Sequence, residues 1–570
     1  MRHTSSTLGL LARALAMAVA VMADTTYRSR PDLSPPHLNI TIPCDSRCAS
    51  GYLFVSPFTT YGEPDDRVSY QVAPYIIDSA GDLVWSGFGY FAGWTGNLQA
   101  ARYQGQDVLF SFEGLHNGNH GHGHGHHTLL DSHYSVVKVL RAGGHHVSDK
   151  HEFAITDAAT ALFQIYEPVQ RDLSAWGGDD AQTWIVDARF QELDIATGEV
   201  VFEWSSLDHV SPDESALALP RGLAGTGRSS ATAWDYFHIN SVIKGADGHY
   251  LLSARHASTV FKINGTDGSV IWRLGGNHSD FTLGDGVRFG FQHHARYVDE
   301  SPGSEVVSLF DNSVYGSESA GDGNEVRVNP YSRGKYIRLD HTAKTATLVR
   351  ALEPPAVAVP GLAQGDPPIL TKSQGSLQTL PDGAGDFVNW GSEGQITEYD
   401  AAGTPVFHAF LGRGFLRDKL QNYRAFRFNW TGYSPEEPAV FAEQSSSSSS
   451  SSGEGTVRLF VSWNGDTVAK SWRFSWAEET AVVDAAGTAK TTTVWKDKVV
   501  ARRGFETSTR IYRPEEVRIV SAKAEALDAD GRVLGVSAAV AVQAALTRTI
   551  NSKGDVDVVG QERLGFAGEL

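Results

Sequence analysis

Alternating apolar and polar residues, broken every few positions by Asp, Asn and Gly, dominate this chain. Four segments share one layout: "YIIDSAGDLVW" (75–85), "LDIATGEVVF" (193–202), "FKINGTDGSVIW" (261–272) and "ITEYDAAGTPVF" (396–407). In each, an apolar run meets a turn with Asp or Asn and then a glycine; Gly81, Gly198, Gly268 and Gly403 precede Trp85, Phe202, Trp272 and Phe407 by four residues. Alternation on both sides of such a turn predicts a β-hairpin with one buried face. Weaker copies stand at "VVKVLRAGGHHV" and "YIRLDHTAKTATLV".

A second hairpin precedes each of these. "NLQAARYQGQDVLFSF", "HEFAITDAATALFQIY", "HINSVIKGADGHYLLSAR", "HHARYVDESPGSEVVSLFD", "QGSLQTLPDGAGDFVNWG" and a pair over 427–463 all read as strand, turn, strand. Two hairpins per unit make a four-stranded blade, and their repetition predicts an all-β protein built as a β-propeller over 24–476. Pairing the hairpin at 427–463 with the N-terminal strands at 72–86 closes six blades; "DTVAKSWRF" opening another outer pair makes seven. Residues 477–570 lose the repeat but still alternate, which predicts a β-rich C-terminal extension. "AEQSSSSSSSSGEG" carries nothing to bury and reads as a mobile loop.

The heads of the inner strands carry unusual chemistry. They begin with His151, His238, His293 and Gln374, and innermost strands line the axis of a propeller, so these residues are expected to converge. One histidine at a strand start is commonly a structural hydrogen-bonding group; recurrence in three repeats points to a site. Asn240, two residues beyond His238, falls on the same strand face. "LLSARHAST", read as the next strand, offers Arg255 and His256. Arg255 is the first candidate for an oxyanion, its planar fork matching several oxygens at once; an ion pair with Asp235 or another carboxylate is the structural alternative. Arg296 is the second choice of cation, and Gln292, Ser373 and Gln374 are expected to line the same pocket.

Composition narrows the classes. The net charge of −18 over 570 residues shows no basic stripe for phosphates, which argues against a nucleic-acid partner. The N-terminus has a basic start, an apolar run from Ala14 to Ala23 and small residues before Asp24, which predicts a secretory signal peptide over 1–23. Ten apolar residues are too few for a bilayer, so no membrane span is expected in the mature chain. Secretion agrees with a local disulfide between Cys44 and Cys48, the two cysteines of the chain, and with glycosylation sequons at Asn39, Asn264, Asn277 and Asn429. The run "HNGNHGHGHGHH" (116–127) is expected to be a loop at the mouth of the site; neither a metal nor a cofactor is expected.

With these residues assembled, the chain resembles the arylsulfotransferase family, in particular a fungal secreted branch. The likeness is carried by "SRPDLSPP", "FEWSSLDHVSPDES", "WDYFHINSV", "LLSARHASTVFKINGTDGSVIWRLGG", "FGFQHHARYV", "FVNWGSEG" and "FRFNWTG", across about 27–476. The resemblance implies a six-bladed propeller that moves a sulfuryl group from an aryl sulfate to a phenol, through a sulfated histidine and without a nucleotide donor. It implies His293 as the nucleophile, His238 and Arg255 as sulfuryl ligands, Asn240 as an assisting residue and His151 as a further channel histidine. Bacterial members use a threonine late in the channel, where this sequence has Ser373 or Gln374.

Three other readings stand beside this one. The same imidazoles suit acid and base chemistry on a phenolic metabolite. A quinone-cofactor dehydrogenase shares the turn from Asp267 to Trp272 but calls for axial acidic residues, whereas the heads here are His and Gln. A propeller that only binds a glycan or a partner is the third.

Overall fold

The computed structural model describes residues 27–544 except 60–69, 119, 158, 317–324, 357–368, 445–454 and 484–488, and adds the strands Thr547–Ile550 and Val556–Val559. The expected signal peptide and most of the serine tract lie outside the described residues. The chain divides into two compact units, one formed by Pro35–Gly81 and Ser86–Trp430, the other by Ala23–Ser34, Asp82–Trp85 and Thr431–Leu570.

The first unit is a succession of antiparallel sheets. Trp94–Tyr103, Gln106–His116, Gly123–Leu130 and Val136–Leu140 form one, each strand paired to the next in sequence. Phe153–Ile155, Thr160–Gln170, Trp184–Asp194 and Val200–Ser205 form the second; Ile239–Lys244, Tyr250–Ala254, Thr259–Ile263 and Val270–Gly275 the third. The fourth runs His293–Asp299, Ser304–Asp311, Arg333–Asp340, Thr345–Leu352, with Thr282–Leu283 added in parallel. The fifth runs Ser376–Thr379, Asp386–Asn389, Gln395–Tyr399, Pro405–Phe410, with Asn39–Ile42 on its edge. A sixth pairs Phe426–Phe428 with Tyr52–Val55 and that strand with Tyr75–Ile77.

Side-chain alternation explains how the sheets stack. In the third sheet Tyr250 and Leu252 join a core with Phe190, Trp204 and Phe237, while Leu251 between them joins Val307, Leu309 and Ile337 of the fourth. A sheet covered on both faces reads as a continuous apolar run, and every residue of Tyr250–Ala254 and Thr259–Ile263 is buried. Each fully buried large side chain contributes about 2 to 3 kcal/mol of transfer free energy. The turns close as their residues require: Asp78, Asp194, Asn264 and Asp400 accept backbone N–H groups two or three residues ahead at 2.7–3.1 Å. The glycine that follows each sits at φ between +75° and +88°.

Three expected hairpins differ. Val136–Leu140 pairs back onto Gly123–Leu130 and makes no hairpin with the residues after it. The pair expected over 427–463 is split: Phe426–Phe428 goes to Tyr52–Val55, whereas Ala439–Gln444 and Gly455–Ser462 pair together in the second unit. "DTVAKSWRF" leads into Ser471–Val483, flanked by Ala489–Ala501 and Val517–Leu527. Alternation reports that one face is buried but not which sheet buries it, so all three read alike in sequence.

The second unit has a sheet of Ala439–Gln444, Gly455–Ser462 and Glu506–Arg513, and another built around Ser471–Val483. Their inward residues, among them Val457, Leu459, Trp472, Phe474, Ala522 and Ala524, share one core. Cys44 and Cys48 are disulfide-bonded. No helix among the described residues is long and apolar enough to cross a membrane.

Candidate active site

The first strand of several sheets is irregular at its head. Register shifts fall at Gly96/Gln99, Ile239/Ser241 and His293/Arg296. Asn97, His238, His294 and Gln374 all hold left-handed backbone, with φ from +53° to +67°. Bulges and left-handed non-glycine residues re-aim side chains at a modest cost in stability and gather at functional sites.

Those heads meet. The rings of His151 and His238 lie 4.9 Å apart, edge to face, although they belong to different sheets. Tyr166 is 5.5 Å from His151 and 5.4 Å from His238, and Tyr423 is 5.3 Å from His151. His293 opens the fourth sheet, and the peptide ahead of it is tied to the strand after His238 by Asn240, whose Nδ2 donates to the Gln292 carbonyl at 2.6 Å. The backbone N–H of Gln374, two residues ahead of the fifth sheet, donates to Nε2 of His293 at 3.2 Å. His151, His238, His293 and Arg255 are each no more than 3% exposed.

Each imidazole is gripped through Nδ1. His151 donates to Asp149, His238 to Oδ2 of Asp235 at 2.5 Å, and His293 to Oδ1 of Asn312 at 2.7 Å and the Phe291 carbonyl at 3.0 Å. A carbonyl can only accept, so Nδ1 of His293 carries the proton and Nε2 keeps its lone pair. Burial holds all three imidazoles well below the usual range; Lys150 adds to this at His151, Arg255 at His293, and His256 at His238 against the opposing pull of Asp235. They are neutral at ordinary pH. Burial opposes charge on Asp235, but His238, His122 and His256 around it outweigh burial and hold its carboxyl well below the ordinary range.

Arg255 lies in the turn that follows Tyr250–Ala254, one step beyond the strand on which the sequence reading set it. Its Nη1 donates to Nε2 of His256 at 2.9 Å and its Nη2 to the Lys372 carbonyl at 3.2 Å. His256 in turn donates Nδ1–H to the Asp235 carbonyl at 2.6 Å, which fixes its tautomer. The guanidinium stacks 4.2 Å over Phe291. Asp235, its alternative partner, receives His238 and His122. A second guanidinium, Arg424, is wholly buried: it donates to both oxygens of Glu152 at 2.8 and 3.3 Å and to the Asn240 carbonyl at 2.6 Å. Arg296 shares Glu152 at 2.8 Å, so it balances that carboxylate.

The remaining expected residues behave differently. Gln292 is wholly buried and its amide donates to Ser253, Ala254 and Thr259, a cross-brace under the site. Gln374 meets His293 through its backbone, while its side chain donates to Gln421 at 2.6 Å. The Ser373 carbonyl accepts from Ser392 at 3.2 Å. His294 donates to the Leu377 carbonyl at 2.9 Å, on the side of Phe426. The bulge after Ile239 removes the alternation argument for Asn240, whose place rests on its bond to Gln292 instead. Asn277 and Asn429 are exposed; Asn39 and Asn264 are half-buried.

The histidine and glycine run is not a loop throughout: His116 ends one strand and Gly123–His127 begin the next. His122, in the turn between them, stacks on Tyr166 at 4.0 Å and donates to Asp235 at 2.8 Å. Ligand atoms of His122, Asp235 and His238 lie within 4.8 Å of one another, the one such group at the site among the described residues. Asp149, Asn312, Tyr166, Tyr423, Arg424 and Lys150 join the site without being among the residues expected from sequence. Two signals were present, an Asp shortly before each of two head histidines, in "DKH" and "DYFH".

A family model described as arylsulfotransferase (ASST) matches residues 99–412. No curated protein matches the chain. Among solved structures, a protein of unknown function from Bacteroides caccae is 11% identical, with 66% of this chain and 98% of that one covered and a TM-score of 0.35. The GH43 protein BlXynB from Bacillus licheniformis is 8% identical, with 79% and 89% covered and a TM-score of 0.29. An exo-inulinase from Aspergillus awamori is 10% identical, with 76% and 87% covered and a TM-score of 0.25.

Proposed function

The chain belongs to the arylsulfotransferase family, and on that premise we propose that it moves a sulfuryl group from an aryl sulfate to a phenol by way of a covalent adduct on His293. The sheets of the first unit are read as the six blades of a propeller whose inner strand heads form the site. The observation that carries the reading is the set of neutral imidazoles from separate sheets, each held by Nδ1, beside the anchored Arg255.

Nε2 of His293 gives up the Gln374 N–H and attacks sulfur; the N–S bond forms as the S–O bond to the aryl group breaks, and the aryl oxygen leaves as phenolate. The sulfated ring carries positive charge and keeps its Nδ1–H on Asn312, which stabilises it. The acceptor oxygen then attacks sulfur, the N–S bond breaks and the imidazole returns neutral. The acceptor's proton passes to Nε2 of His151 or His238 and from there to the departed phenolate or to water. Charge builds on the sulfuryl oxygens in both steps. Arg255 and the neighbouring imidazoles are the donors for it, and one such donor in a dry site is worth about 3 kcal/mol. Export through the leader at 1–23, with glycans at the sequons, belongs to the same proposal.

The test is release of chromophore from a nitrophenyl sulfate in the presence of phenol, with wild type beside His293→Asn. The proposal expects burst release and transfer by wild type and neither by the variant. Equal release by the two proteins rejects His293 as the nucleophile.

A further inference from the structure

Lys150 is a cation beside these imidazoles to which the sulfuryl-transfer steps give no task. It stands one residue before His151, is 3% exposed, and its ammonium makes neither a hydrogen bond nor an ion pair among the described residues. The adjacent carboxylate does not serve it, because Asp149 accepts from His151 and from the Gly123 N–H. Instead Nζ lies 4.5 Å from the centre of the Tyr423 ring and 5.4 Å from that of Trp94. Trp94 is itself stacked on His116 at 5.0 Å and packed on Phe58 at 5.3 Å, so the ammonium stands at an aromatic wall. Tyr423 also touches the His151 ring, which places this wall against the reactive cluster.

An ammonium largely removed from water, with no carboxylate bonded to it, is costly. Burial pushes Lys150 down to about 8, Asp149 acting against this and Arg424 and Arg255 with it. It therefore remains a cation at neutral pH, in surroundings that would welcome a negative charge. The molecule that suits the place is flat, aromatic and carries one anionic oxygen.

We propose that Lys150 binds the phenolic oxygen of the substrates, receiving it as phenolate when the donor's S–O bond breaks and holding the acceptor as phenolate before it attacks sulfur. This rests on the sulfuryl-transfer reading and supplies its aryl subsite: the ring lies along Trp94 and Tyr423, and the oxygen forms a charge-assisted hydrogen bond with Nζ. The acceptor's proton then leaves on binding and the imidazoles relay it.

Para-nitrophenol, whose phenolate absorbs visible light, tests the point without turnover. Its ionisation is followed by absorbance when bound to wild type, Lys150→Arg and Lys150→Met. In wild type and Lys150→Arg the bound phenol is expected to ionise about one pH unit or more below the free compound, a tenfold or greater preference for phenolate. Lys150→Met is expected to abolish the displacement. An undisplaced ionisation in wild type, or an equal displacement in Lys150→Met, overturns the proposal. A crystal structure of wild type with para-nitrophenol decides it without a variant: an oxygen beyond hydrogen-bond distance of Nζ rejects it. If Lys150 shifts the bound phenol while His293→Asn releases chromophore as fast as wild type, the sulfated histidine fails and the phenolate subsite stands.

Discussion

Nδ1 of His293 lies 2.7 Å from Oδ1 of Asn312, and the Asn312 amide is itself oriented by donating to the carbonyls of Thr371 at 2.9 Å and Gln374 at 3.0 Å. Those two acceptors decide which way the amide points, so oxygen faces the imidazole. The ring is thereby held in the tautomer that leaves Nε2 as a nucleophile.

Asn312→Leu removes that acceptor but leaves the Phe291 carbonyl. We expect kcat/KM for aryl sulfate cleavage to fall about tenfold, equivalent to one hydrogen bond of roughly 1 to 1.5 kcal/mol. Steady-state kinetics check the size, and nitrogen NMR shifts of the His293 ring check the cause. An unchanged rate means that Phe291 alone sets the tautomer.

Arg255→Lys keeps the charge but loses the fork. A single ammonium cannot hold His256 and the Lys372 carbonyl and still aim donors at a sulfuryl group. The expected loss in kcat is about a hundredfold or more. Measured with thermal stability as a control, a loss below threefold excludes Arg255 as an oxyanion donor.

Acid is expected to destabilise this protein through its buried imidazoles. His151, His238 and His293 resist protonation when folded, chiefly because of burial, whereas in the unfolded chain they take up protons below about pH 6.5. The unfolded state then binds more protons, so stability rises with pH in this range and falls on acidification, by up to about 1.4 kcal/mol per pH unit for each imidazole. Above about pH 6.5 these groups contribute no slope. Unfolding midpoints between about pH 7.5 and 5 check the direction, and His293→Asn should make the descent shallower; an identical slope in the variant contradicts the assignment.

Glu152→Gln tests the pair beneath the site. Both the Arg424 and Glu152 side chains are wholly buried, and Arg296 leans on the same carboxylate. Neutralising it leaves two guanidinium groups facing an amide, at an expected cost of about 3 to 5 kcal/mol. Urea unfolding measures it, and a change under 1 kcal/mol means that water or relaxation compensates.

Much of the first unit was legible because its signals are local. Short apolar runs bounded by turn residues mark Tyr250–Ala254 and Thr259–Ile263, and the Asp or Asn with glycine at each turn fixes the outer hairpins. His293 opens its strand as expected, whereas His151 and His238 stand two residues and one residue ahead of theirs. Less legible was the chemistry of each head, since a bulge such as that after Ile239 breaks the alternation by which Asn240 was given a face.

By itself the sequence determined that segments such as Tyr250–Ala254 and Thr259–Ile263 are strands, that the chain turns at Asp78 and Asn264, and that His293 opens a strand, because backbone geometry and burial period act over neighbouring residues. Only the tertiary structure decided that Asn312 orients His293, that Asp149 turns to His151 and leaves Lys150 to Trp94 and Tyr423, and that Gly455–Ser462 belongs to the second unit. Those outcomes depend on which buried groups meet across tens or hundreds of residues. Hydrophobic alternation records that a face is covered and carries no address for what covers it.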